Sequence, residues 1–330
     1  MTAADSAHVL PVDPPRVRGR FAPSPTGPLH LGSLVAALGS FLAARHQGGE
    51  WLVRIEDVDL PRAMPGAADA ILRSLERCGL AWDGSVLYQS RRLECYQAAL
   101  EYLLRAGRAY PCSCTRRELA GSARAHDGSP IYPGRCRAGV RHPDRPHAIR
   151  LRVPDVVLAF HDAVQGDYRQ RLEQEVGDFV IRRADGLFAY QLAVVVDDAA
   201  QGVTQIIRGA DLLNSTPRQI YLQGLLAAPT PCYGHLPLVT DGHGDKLSKQ
   251  THAPPLDDRA PGPALWTALR FLGQRPPAEL AAAPATEILQ WALAHWQLQR
   301  VPASITHPWS SPFTGESSPN GLTQAAKVID

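Results

Sequence analysis

Apolar residues at Leu31, Leu34, Val35, Leu38, Phe41 and Leu42 recur at helical spacing and predict a helix over 29–45, which Gly48-Gly49 ends. The segments on either side, Val17 to Phe21 and Trp51 to Ile55, read as strands. Between the first strand and the helix, Ala22-Pro23-Ser24-Pro25-Thr26-Gly27-Pro28 is a turn that continues neither a helix nor a central strand. Strand, turn, helix and strand in that order predict a βαβ crossover opening an α/β fold with a doubly wound parallel sheet. A ligand is then expected at the carboxyl end of the first strand. Amphipathic helices follow over 67–78 and 91–106, after which the cysteine-, glycine- and proline-rich stretch 111–146 breaks the rhythm and reads as an inserted subdomain. Regular structure resumes at His147 to Val153, and Asp178 to Arg183 with Leu187 to Tyr190 across Ala184-Asp185-Gly186 predicts a hairpin. The apolar Leu192 to Val196 leads to Asp197-Asp198, which face a ribose or cap a preceding strand. Beyond a lysine-bearing loop near 246 the chain becomes alanine-rich helix and then a Ser/Pro/Gly-rich tail expected to be disordered. The organisation is a lead over 1–16, a main domain in two halves (17–110 and 147–253) around the insertion, a helical region over 254–309 and a tail over 310–330.

Composition changes this picture little. A chain of 330 residues with 45% hydrophobic and 20% charged content is an ordinary globular protein of two or three domains. Neither a signal-peptide h-region in the lead nor an apolar stretch approaching the roughly 20 residues of a membrane span is present, so no membrane association and a cytoplasmic location are expected. Of six cysteines, Cys112, Cys114 and Cys136 fall in one stretch, which favours a metal over disulfides. The net charge of +2 hides a local excess: from 116 to 152 there are nine arginines against Glu118, Asp127 and Asp144. That is a patch for a polyanion or, alternatively, a solvated basic insertion.

Two motifs carry candidate chemistry. His30-Leu31-Gly32-Ser33 stands at a helix start, where backbone N–H groups and the dipole hold a phosphate, a histidine adds a hydrogen bond and Gly32 lets a planar base approach. The alternative is a simple helix cap. Lys246-Leu247-Ser248-Lys249-Gln250 follows the glycine-bearing Asp241-Gly242-His243-Gly244-Asp245; two lysines on such a loop can close over a triphosphate, or form an exposed basic loop.

In this order and separation the two motifs resemble the HIGH and KMSKS signatures of class I aminoacyl-tRNA synthetases. Gly19 to Gly27, Val53 to Asp59 and Ile207 to Leu212 are similar to the glutamyl and glutaminyl branch, and the resemblance runs from about Arg18 to Ala253. The Lys-Leu-Ser-Lys-Gln form, and a chain that ends about 77 residues after Ala253, resemble the glutamyl-queuosine tRNA(Asp) synthetase family, whose members lack the anticodon-binding domain. The resemblance implies a Rossmann-like doubly wound sheet with an inserted zinc-binding, acceptor-type subdomain and a short helical C-terminal region. It implies ATP-dependent activation of L-glutamate and transfer to queuosine in the anticodon of tRNA(Asp) by a monomer. Carried over residue by residue, Arg20, Phe21, Ala22, Pro23, Ser24, Glu56, Tyr190 and Arg208 bind glutamate; His30, Gly32 and Lys249 bind ATP with Mg²⁺; and His30, Lys246 and Lys249 are catalytic. The side-chain chemistry agrees, because two carboxylates and one ammonium call for separated arginines and an acid. Without the resemblance, Tyr190 reads as a core aromatic and Arg54 with Glu56 as an ordinary strand-end pair.

Three cysteines are one ligand short of a closed tetrahedral zinc site, and His126, His142, His147 and Tyr132 are all near. Spacing alone favours a histidine; the resemblance implies Cys112, Cys114, Tyr132 and Cys136, in the order Cys-x-Cys, Tyr-x-x-x-Cys. Two other functions compete. A short glutamyl-tRNA synthetase would charge a tRNA 3′ end, against which the short C-terminal region speaks. A non-catalytic RNA-binding paralogue would have lost the histidine or the lysines, and both are intact.

Overall fold

In the computed structural model, which describes residues 16–125, 128–240, 255–257 and 259–308, the chain opens with strand β1 (Arg18–Phe21), helix α1 (Leu31–Arg45) and strand β2 (Glu50–Ile55). β1 and β2 pair in parallel, Arg18 opposite Glu50 and Phe21 opposite Val53, as the predicted crossover requires. Ten residues of α1 are buried, so it is a core helix covered on nearly all sides and not an amphipathic surface helix. Gly39 permits its close approach to the sheet: a Cβ there would stand 2.6 Å from Leu236 Cδ1. Next come α2 (Ala67–Arg77), β3 (Leu87–Tyr88), α3 (Leu93–Arg105), β4 (Ala109–Cys112), β5 (Ala148–Leu151), β6 (Val157–Asp162), β7 (Gly166–Arg171), a single turn α4 (Leu172–Glu175) and β8 (Val180–Arg182). They are followed by α5 (Tyr190–Ala200), β9 (Gln205–Gly209), α6 (Thr216–Leu225), β10 (Cys232–Leu236), β11 (Leu238–Thr240), α7 (Pro261–Phe271), α8 (Ala285–His295) and β12 (Thr306–Pro308).

One half of the parallel sheet is β1-β2-β3; the other is β9-β10-β6, edged by the antiparallel β7. The halves meet where Thr204 N–H donates to Arg18 O (3.0 Å) and Arg18 N–H donates to Thr204 Oγ1 (2.9 Å). Strand order therefore reverses between β1 and β9, the switch point at which open α/β sheets bind ligands. The core is continuous from Leu38, Trp51 and Ile55 to Leu265, Leu269 and Ile288 of the C-terminal helices. A second cluster joins Tyr96 and Leu100 to Leu192, Val195 and Leu222, and the insertion has a small one of its own around Tyr110, Leu119 and Tyr132. Among the described residues no helix is long and apolar enough to cross a membrane.

The predicted hairpin forms only in part. Ala184-Asp185-Gly186 does turn, with Gly186 at φ +89° and Arg183 N–H donating to Leu187 O at 2.8 Å. The returning arm, however, makes one bridge, Arg182 to Phe188, and Tyr190 already opens α5. A short apolar run suits a buried helix as well as a strand, and here Leu192 to Val195 are buried in a helix. Asp197 and Asp198 thus lie inside α5 and cap no strand. The lead, His126, the loop with Lys246 and Lys249, and the tail lie outside the described residues.

Candidate active site

The turn after β1 is tied down at two points: Glu56 N–H donates to Pro23 O (2.9 Å) and Met64 N–H to Pro25 O (2.8 Å). It delivers His30 to the N-cap of α1 in extended backbone (φ −125°, ψ 173°), where Nδ1 accepts from Ser33 N–H at 3.4 Å. A neutral ring so engaged carries its proton on Nε2. His30 is therefore a cap, and it also lines a cavity of about 460 Å³ with Phe21, Ser24 and Gly32 on one side and Gly209 and Leu238 on the other. No acid stands in the first turn of α1 to oppose an anion there.

Beside this cavity runs a buried chain of charges. Arg54 of β2, fully buried, donates to Asp198 Oδ1 at 2.7 Å and to Gln201 Oε1 at 2.8 Å, and its Nη2 lies 3.3 Å from Glu56 Oε1. Arg20 of β1 gives only its Nε to Asp198 Oδ1, at 3.2 Å; among the described residues neither of its Nη atoms has a partner. Burial pushes the Asp198 carboxyl up, but Arg54 and Arg20 outweigh it and hold the group below its ordinary range. Glu56 goes the other way. Burial raises it beyond what Arg54 and Arg20 offset, and Asp198 adds to the rise. Glu56 is thus the carboxylate short of positive charge, and a cationic ligand group would complete it.

Arg208, on β9, closes the opposite side. Its Nη1 donates to Tyr190 Oη (3.3 Å), its Nη2 to Thr216 Oγ1 (2.9 Å) and Leu212 O (3.4 Å), and its Nε to His235 Nε2 (3.0 Å). Tyr190 stands between the two groups: burial raises its phenol, Glu56 and Asp198 add to that, and Arg208 and Arg20 oppose it. Arg20, Glu56, Tyr190 and Arg208 therefore converge, although they come from β1, the end of β2, the start of α5 and β9. Ser24 is exposed and also lines a neighbouring cavity of about 470 Å³ with Glu56 and Asp59, while Ala22 and Pro23 are half-buried in the turn. Sequence reasoning left Arg54 as a strand-end residue, gave Asp198 no place in the site, and missed Asp162 and His235. The available signal was a charged or polar residue inside an otherwise buried run, as in Trp51-Leu52-Val53-Arg54-Ile55.

In the insertion, the sulfurs of Cys112, Cys114 and Cys136 lie within 4.8 Å of one another. Tyr132 Oη sits among them, 3.3 Å from Cys112 Sγ and 3.5 Å from Cys114 Sγ, and the Cys136 N–H donates to it at 2.8 Å. Zinc bonds of about 2.3 Å to sulfur and 2.0 Å to oxygen give tetrahedral edges of about 3.8 and 3.5 Å, close to these separations. Burial raises the Cys136 thiol, but the Tyr132 hydroxyl and the N–H groups of Arg141 and Ser113 outweigh it and bring it to about 6. His142 and His147 are engaged elsewhere, with Glu118 at 3.6 Å and His142 O at 3.4 Å.

The basic patch is smaller than its count of arginines. Arg137 is clamped on Asp178 (2.7 and 2.8 Å), buried Arg150 lies 3.9 Å over the Tyr132 ring and donates to Cys112 Sγ, and Arg152 covers Tyr110. Arg116, Arg117 and Arg141 remain exposed and, among the described residues, without an acidic partner. A cavity of about 760 Å³ between the insertion and the catalytic body is lined by Arg116, Arg124, Arg150, Arg183 and Arg218.

Comparison with known proteins agrees with this geometry. The family of tRNA synthetases class I (E and Q), catalytic domain, matches residues 16–260. The glutamyl-Q tRNA(Asp) synthetase of Thiobacillus denitrificans is 58% identical over 297 residues, covering 90% of this chain and 98% of its own. That of Pseudomonas aeruginosa PAO1 is 57% identical over 291 residues, covering 88% and 97%. The glutamate-tRNA synthetase of Elizabethkingia anophelis superposes with a TM-score of 0.74 at 26% identity, covering 90% of this chain and 68% of that one. The family match over residues 16–260 and identity above half over nearly the whole length place the chain in the class I glutamyl and glutaminyl tRNA synthetase family, among the glutamyl-Q tRNA(Asp) synthetases.

Proposed function

We propose that the chain activates L-glutamate with ATP and passes the glutamyl group to queuosine in the anticodon of tRNA(Asp). The observation that carries this reading is the match at 55–58% identity along 95–98% of the length of relatives with that name. In the first step the glutamate α-carboxylate attacks the α-phosphorus and pyrophosphate leaves. Arg20 and Arg208 hold the two carboxylates, Glu56 takes the ammonium and Tyr190 fills the space between. Phe21 to Ser24 complete the glutamate side of the site, and Gly32 walls the ATP cavity, where the His30 Nε2–H and the α1 N-terminus stabilise charge on the α-phosphate. Lys246 and Lys249 meet the departing pyrophosphate, and Mg²⁺ arrives with ATP to neutralise phosphate charge.

Labelled glutamate offered to tRNA(Asp) with queuosine, tRNA(Asp) lacking it and tRNA(Glu), each with and without its 3′-terminal adenosine, tests the acceptor. Label is expected on the queuosine-bearing tRNA alone and regardless of the terminal adenosine. Label on tRNA(Glu) that is lost with the terminal adenosine would instead make this a short glutamyl-tRNA synthetase. RNA is expected to approach across the arginine-lined cavity beside the insertion, with strongly salt-dependent binding.

Cys112, Cys114, Tyr132 and Cys136 fit one structural zinc that shapes the insertion, since four protein donors leave no position for water. Metal analysis of protein purified without chelator is expected to give one zinc per chain, reduced in Tyr132→Phe. Zinc-free protein would refute the site, and full retention in the variant would move the fourth ligand to a histidine.

A further inference from the structure

We propose that His235, held in one tautomer by Asp162, is a positioning residue that orients the Arg208 guanidinium toward glutamate. The proposal rests on the reading of Arg208 as a glutamate ligand. His235 of β10 lies directly opposite Arg208 of β9 in the parallel register, and Asp162 ends β6 on the far side of β10. Arg208 Nε donates to His235 Nε2 at 3.0 Å, so that nitrogen is an acceptor and the ring proton sits on Nδ1. Nδ1 in turn donates to Asp162 Oδ2 at 2.5 Å. The other oxygen, Oδ1, accepts the N–H groups of Val164 (3.0 Å), Gln165 (2.9 Å) and His235 itself (2.9 Å). Four donors fix this carboxylate and, against the effect of burial, hold it at about 2.

The consequence falls on Arg208. Of its five N–H groups, His235, Tyr190, Thr216 and Leu212 O take four, which leaves one on Nη1 without a partner among the described residues. Only a guanidinium fixed at Nε and Nη2 presents that N–H in one direction. An imidazolium would put two donors and two positive charges 3.0 Å apart inside the protein. Charged groups facing the ring are Asp162 from β6, Arg208 from β9 and Asp211 from the turn after it; Tyr233 stacks on the ring from β10 itself, and uncharged Thr216 comes from α6. Burial leads in lowering His235 below its ordinary value of 6.5, helped by Arg208 and opposed by Asp162 and Asp211, so the neutral ring prevails at neutral pH.

The test is pyrophosphate exchange measured for glutamate and ATP separately, against pH. Asp162→Asn preserves volume, keeps an oxygen for the three backbone N–H groups and turns an amide donor toward Nδ1. That forces the proton onto Nε2, against Arg208, and is expected to raise the glutamate KM about 10- to 100-fold with the ATP KM little changed and Tm lowered. His235→Gln offers an amide oxygen to Arg208 in place of Nε2. It is expected to keep a near wild-type glutamate KM and to show a smaller acidic rise of that KM than wild type. Glu56 titrates in both proteins and cancels from the comparison. An unchanged glutamate KM in an active Asp162→Asn, equal rises for glutamate and ATP, or the same acidic limb in His235→Gln would each overturn the proposal; should Asp162→Asn not fold, the pH comparison alone decides. Wild-type protein without glutamate-dependent exchange would overturn the parent reading of Arg208, and this one with it.

Discussion

Arg208→Ala is expected to lower kcat/KM for glutamate in RNA-free pyrophosphate exchange by about 30- to 1000-fold, or about 2–4 kcal/mol of transition-state stabilisation. The size follows from where the side chain sits. It is 5% exposed, so a charge-assisted bond to a carboxylate there is little screened by water. Removing it also leaves His235 Nε2 and Thr216 Oγ1 facing an empty volume, so part of the loss comes from relaxation of the site. Arg208→Lys restores the charge but not the fork that bonds His235 and Thr216 together, and is expected to recover little. The ATP KM is expected to stay near wild type, because the cavity at the α1 N-terminus is walled by other residues. Glutamate kinetics that survive the alanine substitution would remove Arg208 from the site. An absolute need for tRNA in the exchange would point to the ordinary glutamyl branch.

The parts of the site legible in the sequence are those whose signal is local. His30 and Gly32 follow a proline turn, and the helix behind them has six apolar positions in phase, so their place at a helix start could be read without any distant contact. Arg54 and Asp198 could not be read in this way. They bond at 2.7 Å across 144 positions, and no periodicity reports such a pair. His235 and Asp162 are 73 positions apart and likewise join only when β6 lines up beside β10. Within α5, burial on every side erased the helical period, and so the stretch before Asp197 resembled a strand. In the insertion, spacing favoured a histidine as fourth donor, whereas packing set the Tyr132 oxygen among the sulfurs and turned His142 toward Glu118. The arginine count misled for a related reason: Asp178 and two tyrosine rings take Arg137, Arg150 and Arg152 into the structure, which composition cannot foresee.

The largest effect on stability is expected at Asp198, which touches no ligand in the proposed chemistry. Its Oδ1 accepts from both Arg54 and Arg20, whose side chains are 0% and 3% exposed, so Asp198→Ala leaves two guanidinium groups buried, with Glu56, Asp197 and the Gln201 amide oxygen left to offset Arg54. Removing one partner of a buried ion pair costs about 3–5 kcal/mol, because the remaining charge is neither hydrated nor compensated. Arg54 already carries a buried Nε with no partner among the described residues, so it has no spare bond to fall back on. Asp198→Asn keeps the shape and an acceptor oxygen but not the charge, and is expected to fall between alanine and wild type. The pH dependence gives a second handle. Asp198 is held below its ordinary 3.8 in the folded protein, so its contribution is complete above that pH and is lost as pH falls through the lower, folded value. Urea unfolding of wild type and both variants at neutral pH and below about pH 3 measures this directly. An alanine variant within about 1 kcal/mol of wild type would mean that water reaches Arg20 and Arg54, and that the site is not held by this carboxylate.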